Sequence, residues 1–487
     1  MLEAILFGTF FILLFLSVPV AFALGLASIA TLIAAGGIGK LAVLPSVFYA
    51  SLSSETLLAI PFFVLAGVIM EYAGISKRLI DFADACVGHR KHGLALVVII
   101  AAFFFSAISG SGPATVAAIG AILVPALVRN GYLKQQAAAM VASAGSMGII
   151  VPPSITLIIF GVVASEHQRV SIARLFMAGV VPGVLMAVAL YLAARTVKRS
   201  AFGSDRGPLV AAMAGGATGL TASGGHSTVV GASGTGLTDV GNLHPGEAEE
   251  IAKLASHGGA GAGRAPLREI GRGFINAIPG LLVPVIILGG IYGGVFTPTE
   301  SAVVAAVYAL FVGVVFYREI KVRHLTRIFT SAAVQSSVVM IIVGCASVFA
   351  YVITSQRIAK RMSDFILGIT DNPVIIMLLV VVLLLIVGAF IDAISALYLF
   401  VPILVPVLLE VGFDITTIGV MMTVNLAIGL VTPPVGVNLF VAAGIARAPL
   451  TQVSRSAVPY LIASVVVLLL TAYIPGLSNW LPDLLGM

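Results

Sequence analysis

Two stretches of this chain break helices inside long apolar runs. One is Ser143-Ala144-Gly145-Ser146-Met147-Gly148-Ile149-Ile150-Val151-Pro152-Pro153-Ser154, and the other is Val424-Asn425-Leu426-Ala427-Ile428-Gly429-Leu430-Val431-Thr432-Pro433-Pro434-Val435. In each, a glycine stands four residues before a Pro-Pro pair. Proline has no N–H and its ring clashes with the carbonyl four residues back, so Pro152 removes the helical partner of Gly148 and Pro433 that of Gly429. A freed carbonyl in hydrocarbon costs several kcal/mol, so such backbone persists only against protein or a polar cavity. Two matching breaks in two halves point to a midplane binding site of a secondary carrier.

That reading requires a membrane chain, and the composition supplies one. Of 487 residues, 60% are hydrophobic and 9% charged, against about 25% charged in soluble domains. The expected class is an all-α polytopic membrane protein with about 11 to 12 transmembrane helices, each needing roughly 20 apolar residues. Its first apolar run, Leu2 to Ala35, is too long for a secretory signal and lacks a basic leader. A net charge of +6 reflects Lys and Arg clustered between spans, the pattern of cytoplasmic loops, and gives no ground for nucleic-acid binding. Cys86 and Cys345 stand in no metal or redox spacing and read as apolar filler.

The hydropathy pattern predicts spans near 3–35, 43–72, 173–197, 276–295, 299–317, 328–355 and 457–474. Apolar segments from Leu94 and from about 373 are each interrupted, at Ser109-Gly110-Ser111-Gly112-Pro113 and at Asp392-Ala393-Ile394-Ser395. A reversal at such tips makes a re-entrant hairpin, since Gly reaches the needed dihedrals and Pro fixes the next one. Broken helices follow at about 134–165 and 416–446. Phe105-Ser106-Ala107-Ile108-Ser109 matches Ile391-Asp392-Ala393-Ile394-Ser395, and Ile122-Leu123-Val124-Pro125 matches Ile403-Leu404-Val405-Pro406. Ile75, Arg78, Asp81 and Phe82 likewise match Ile358, Arg361, Asp364 and Phe365. The chain therefore reads as two copies of one unit, 1–200 and 273–487, with inverted topology as the usual arrangement. Between them, 201–272 is rich in Gly, Ala, Ser and Thr and reads as a flexible loop, placed on the cytoplasmic side by flanking Arg195, Lys198, Arg199, Arg268 and Arg272. Glu247 to Ser256 is expected to form at most a turn or two of helix.

Oxygen ligands on freed helix ends suit a hard cation such as sodium. By analogy with broken-helix carriers, a first site would use Ser109, Ser111, Gly112, Ser143 and Gly148. A second would use Asp392, Ser395, Asn425, Gly429 and Thr432, with Asn438 as a further candidate. The competing reading is that these small polar residues only join helices. Asp392 is either functional, as ionisable groups beside apolar runs usually are, or a helix N-cap. Glu300, in Thr297-Pro298-Thr299-Glu300, reads as part of a helix cap, with a hinge or substrate contact as the alternative. A serine hydrolase at Gly110-Ser111-Gly112 lacks a base: the histidines at 89, 92, 167, 226, 244, 257 and 324 all lie outside apolar spans. No His-Glu-x-x-His or Walker motif occurs, and a channel would call for a ring of charges.

Further motifs carry a resemblance. Gly289-Gly290-Ile291-Tyr292-Gly293-Gly294-Val295-Phe296-Thr297-Pro298-Thr299-Glu300-Ser301-Ala302, Ile60-Pro61-Phe62-Phe63-Val64-Leu65-Ala66-Gly67, the first tip and both Pro-Pro segments resemble the large membrane subunit of tripartite ATP-independent periplasmic (TRAP) transporters. The likeness covers about 1–200 and 270–487, and the long central loop departs from it. It implies an elevator-type ion transporter scaffold in the bacterial inner membrane. It also implies import of a small organic anion, with Na+ as coupling ion and no organic cofactor. The implied partners are a small four-span membrane subunit and a periplasmic substrate-binding protein. The alternative is a stand-alone sodium- or proton-coupled dicarboxylate carrier.

Overall fold

The computed structural model describes residues 2–90, 92–197, 266–368 and 370–487. In the first unit, α1 (Leu2–Phe15) and α2 (Val20–Gly36) pack together, followed by α3 (Leu44–Leu52) and α4 (Ala59–Tyr72). Next come α5 (Ile75–Val87), the hairpin α6 (Gly93–Ser109) and α7 (Gly112–Arg129), the broken helix α8 (Lys134–Gly145) and α9 (Ile155–Ala164), and α10 (Ile172–Thr196). The second unit repeats the series as α11 (Leu267–Tyr292), α12 (Pro298–Phe311), α13 (Val322–Ser355), α14 (Ile358–Leu367), α15 (Pro373–Gly388), α16 (Ala393–Glu410), α17 (Ile415–Gly429), α18 (Val437–Ala446) and α19 (Leu450–Tyr473). A terminal α20 (Gly476–Leu484) follows.

Packing follows the same correspondence. The half-helix α18 lies on α7 and α8, as its counterpart α9 lies on α16 and α17; α19 lies on α8 as α10 lies on α17. The second half of each broken helix thus beds into the hairpin of the other unit, while the first half packs on its own hairpin. A second group of contacts joins α1 to α2, α11 to α12, α12 to α4, and α13 to α2, α3 and α4. Among the described residues eight helices are long and apolar enough to cross a bilayer; the remaining apolar helices are shorter pieces, including α9, α17 and α18 of the broken helices.

Several boundaries differ from those expected. The run 3–35 is two helices, split around Leu16–Pro19 with Ser17 at a positive φ of 62°. One helix over it would be about 50 Å long at 1.5 Å per residue, well beyond a hydrocarbon core of about 30 Å. The run 43–72 is likewise divided at Ser53 and Ser54. α11 begins at Leu267, so the central loop ends before residue 272; residues 201–265, with Glu247–Ser256, lie outside the described residues. Glu300 caps α12 as expected: Thr297 Oγ1 accepts from Glu300 N at 3.2 Å and Glu300 Oε2 accepts from Thr297 N at 2.8 Å.

Candidate functional site

The first tip is tight. α6 ends in Gly110, left-handed at φ 60°, and Ser111 is the extended residue before α7. Ser109 Oγ lies 2.9 Å from Thr115 Oγ1 and 3.2 Å from the Ser111 carbonyl oxygen, to which Thr115 Oγ1 also donates at 2.8 Å. The hydroxyls thus fasten the tip to the first turn of α7. The second tip is longer, running from Ala389 to Asp392. Asp392 caps α16, accepting from Ser395 N at 3.0 Å and from Ser395 Oγ at 2.6 Å.

These caps revise the alignment of the tips. Asp392 precedes α16 as Ser111 precedes α7, and Pro125 and Pro406 fall at the same distance into their helices. The match of 105–109 with 391–395 is therefore a local likeness out of register, because the tips differ in length. Asp392 corresponds to Ser111, not to Ser106.

Both breaks are backbone-to-backbone contacts. A Cβ on Gly148 would come within 2.6 Å of the Ser111 carbonyl oxygen and 2.9 Å of Gly112 N. A Cβ on Gly429 would come within 2.6 Å of the Gly388 carbonyl oxygen. Only glycine permits these approaches, and they press each broken helix onto its hairpin. Each Pro-Pro bond is cis. The Gly429 carbonyl is not bare: Thr432 N donates to it at 3.0 Å, replacing the bond Pro433 cannot make. Thr432 Oγ1 donates to Ile428 O at 2.7 Å, and Asn438 N to Leu430 O at 3.0 Å. In the first break Ser154 Oγ donates to Ile149 O at 2.6 Å and accepts from Leu157 N, capping α9.

Behind the tips lie buried oxygens without hydrogen-bond partners among the described residues: Ser143 Oγ, Asn425 Oδ1 and Asn438 Oδ1. Asn438, expected in the second site, turns its side chain toward residues of the first unit. Its Nδ2 donates to the carbonyl of Ala142, the residue before Ser143, at 3.2 Å, and a Cβ on Gly112 would meet its Oδ1 at 3.1 Å. It reaches there from α18, which sequence spacing within one unit could not reveal. Asn425 stays in its own unit, donating to Val381 O at 2.9 Å. A buried acceptor left unmade costs about 1–3 kcal/mol, so each such oxygen calls for a ligand. Neutral oxygens of this kind are of the type that suits a hard cation.

Both tips face one cavity of about 210 Å³. Ser109, Ser111 and Gly112 line it from the first tip and Asp392, Ala393 and Ile394 from the second; Leu430 and Val437 come from the second break. The cavity does not reach Ser143, Gly148, Ser395, Asn425, Gly429, Thr432 or Asn438. Ile149, Ile155 and Thr156 line it from the first break, and Glu71 on α4 and Gln335 on α13 complete the wall. Sequence reading missed Glu71 and Gln335. Glu71 is the sole carboxylate in Ala59–Tyr72, and an acid in an otherwise apolar span was the available signal.

Helices broken on either side of a shared cavity, in an all-helical membrane chain, define a carrier subunit. The family model for the tripartite ATP-independent periplasmic transporter, DctM component, matches residues 7–477, and the chain belongs to that family. It is a multi-pass inner-membrane transporter permease of the large-subunit type. It is 35% identical over 436 residues to the C4-dicarboxylate TRAP transporter large permease protein DctM of Pseudomonas aeruginosa, covering 89% of this chain and 87% of that one. To the 2,3-diketo-L-gulonate TRAP transporter large permease protein YiaN of Escherichia coli it is 34% identical, over 87% of this chain and 86% of that one. To the isethionate TRAP transporter permease protein DctMQ of Oleidesulfovibrio alaskensis it is 37% identical over 97% of this chain, spanning 65% of that relative's length. The crystal structure of the Alcanivorax borkumensis YdaH transporter shares the fold at a TM-score of 0.57 and 16% identity, over 97% of this chain and 98% of that one.

Proposed function

We propose that this chain imports a small organic acid anion, of C4-dicarboxylate, sialic acid or 2-oxo acid type, driven by the inward sodium gradient. The anion is delivered by a periplasmic binding protein, and a small four-span subunit packs beside the permease in the bilayer. The observation that carries the reading is the pair of glycine-packed breaks with unpartnered buried oxygens behind tips that share one cavity. The charge of that cavity adds to it. Glu71 and Asp392 are its acidic lining residues, and among the described residues no Lys or Arg lines it. An anion entering beside two carboxylates is repelled unless cations bind with it, which is the logic of symport. The relatives named for C4-dicarboxylate and 2,3-diketo-L-gulonate transport support the substrate class.

Inverted units would let the tip-bearing body move against the frame. The frame includes α13 as well as α1 to α4, α11 and α12, because α13 packs on α2, α3 and α4. The test is uptake in proteoliposomes containing the permease and both partners. Uptake should require an inward sodium gradient and the binding protein; full uptake on a proton gradient without sodium, or without binding protein, would sink the proposal.

A further inference from the structure

The matched residues Arg78 and Arg361 do not touch the cavity, yet each has the same surroundings. Each follows a left-handed residue that turns the chain out of a frame helix: Gly74 at φ 66° after α4, and Arg357 at φ 54° after α13. Arg78 Nη1 donates to the carbonyls of Ala73 and Gly74 at 3.0 and 2.9 Å. Arg361 Nη2 donates to the Gln356 carbonyl at 3.0 Å. Each guanidinium thus caps the frame helix that has just ended, where carbonyls lack partners and the helix dipole favours a cation. Each also holds a carboxylate from the opposite unit. Arg78 pairs with Glu319 at 2.9 Å and stacks over Tyr317, 3.7 Å from the ring centroid. Arg361 pairs with Glu3.

Both sit on short helices of one pattern. Ile75, Leu79, Ile80 and Ala83 of α5 are buried while Lys77, Arg78, Asp81 and Asp84 occupy its other positions. In α14, Ile358 is buried and Lys360, Arg361 and Asp364 supply the charge. α5 joins α4 to the first hairpin, and α14 joins α13 to the second. They are the arms between frame and tips.

We propose that Arg78 and Arg361 are matched positioning residues that pin the root of each arm to the frame, each through a carboxylate supplied by the other unit. The inference rests on the transport reading above and adds where motion stops: the tips swing, and the two arm roots stay fixed. Repetition argues for it. Two ion pairs that draw their glutamates from different elements, on arms in different halves, preserve the same i−5 carbonyl cap and left-handed entry.

The test uses the full permease with its partners, starting from a parent lacking Cys86 and Cys345 that shows sodium-driven uptake. Glu319→Gln and Glu3→Gln leave the carbonyl caps in place. Each should lower the maximal uptake rate about fivefold without changing the substrate concentration for half-saturation. Arg78→Cys with Glu319→Cys, and Glu3→Cys with Arg361→Cys, are then bridged by a short thiol crosslinker. A bridge replaces the pin, so bridged protein should transport faster than the same variant unbridged. Arrest of uptake by bridging would show that the arm roots move and overturn the inference. Unchanged rates in both glutamine variants would overturn it as well. A parent without sodium-driven uptake would instead fell the transport reading, and this inference with it.

Discussion

The two Pro-Pro breaks are nearly the same in sequence and opposite in setting. Val151, Pro152, Pro153 and Ser154 are all buried, whereas Pro433 and Pro434 are exposed and Thr432 and Val435 half-buried. Even the hydroxyl that repairs the backbone changes side. It follows the prolines in the first break, as Ser154 on Ile149 O, and precedes them in the second, as Thr432 on Ile428 O. The motif thus dictates that the helix stops, while the packing around it dictates what the stop faces. The difference extends outward. α6 of the first hairpin lies on frame helix α4, but in the second unit it is α16, the other leg, that lies on α13. The two breaks thus sit in unlike surroundings, and an exchange of those surroundings during a cycle is what the proposed transport reading expects of them.

The most damaging way to break the comparison is to fill the contacts the two breaks share. Gly148→Val and Gly429→Val should each abolish uptake and lower thermal stability in detergent, because added core bulk costs about 1–3 kcal/mol or more. Gly444, where an added Cβ would meet nothing within 4 Å, is the control, and Gly444→Ala should melt like wild type. Equal tolerance at Gly429 and Gly444 would refute the close approach. Labelling sharpens the contrast next. In the cysteine-free parent, Val435→Cys should react with a polar thiol reagent while Ser154→Cys stays protected. Conditions that favour the other facing state should narrow or reverse that ratio, and a ratio fixed in every condition would count against exchange of roles.

A smaller effect separates the oxygens behind the tips. Asn438→Ala should raise the sodium concentration for half-maximal uptake about tenfold, the loss of roughly 1.4 kcal/mol from one ligand, with Asn425→Ala acting independently of it. If the two variants failed to add, the buried oxygens would belong to one coupled site. The smallest effect is expected at Asp392. Asn caps helices as well as Asp does, so Asp392→Asn should leave stability within a few tenths of a kcal/mol, and Asp392→Ala should cost about 1 kcal/mol. Uptake lost in Asp392→Asn at unchanged stability would show that the carboxylate charge itself takes part.

The breaks, the tips and the doubled order of helices were legible because proline and glycine act locally, through missing N–H groups and accessible dihedrals. Arg78 and Arg361 could be matched by spacing, but their partners Glu319 and Glu3 could not, since those contacts depend on how the units meet. The side-chain surroundings of Asn438 were hidden for the same reason: its amide meets Gly112 and Ala142, which belong to the other half. The division of 3–35 was readable and overlooked, because Ser17-Val18-Pro19 interrupts a run far longer than a bilayer needs. Glu71 and Gln335 carry no repeat partner to draw attention to them, and only the cavity shows what they face.

The contact of Gly429 with Gly388 has a genetic consequence. Neither partner contributes a side chain, so the fit cannot be retuned by trading a larger residue on one side for a smaller one on the other, as ordinary cores allow. Every missense codon at Gly429 adds at least a Cβ, and Gly388 has nothing left to surrender in compensation. In a saturation library selected for uptake, the apolar positions around the breaks should therefore drift freely among Leu, Ile, Val and Met, while Gly429 admits no second-site suppressor at its partner.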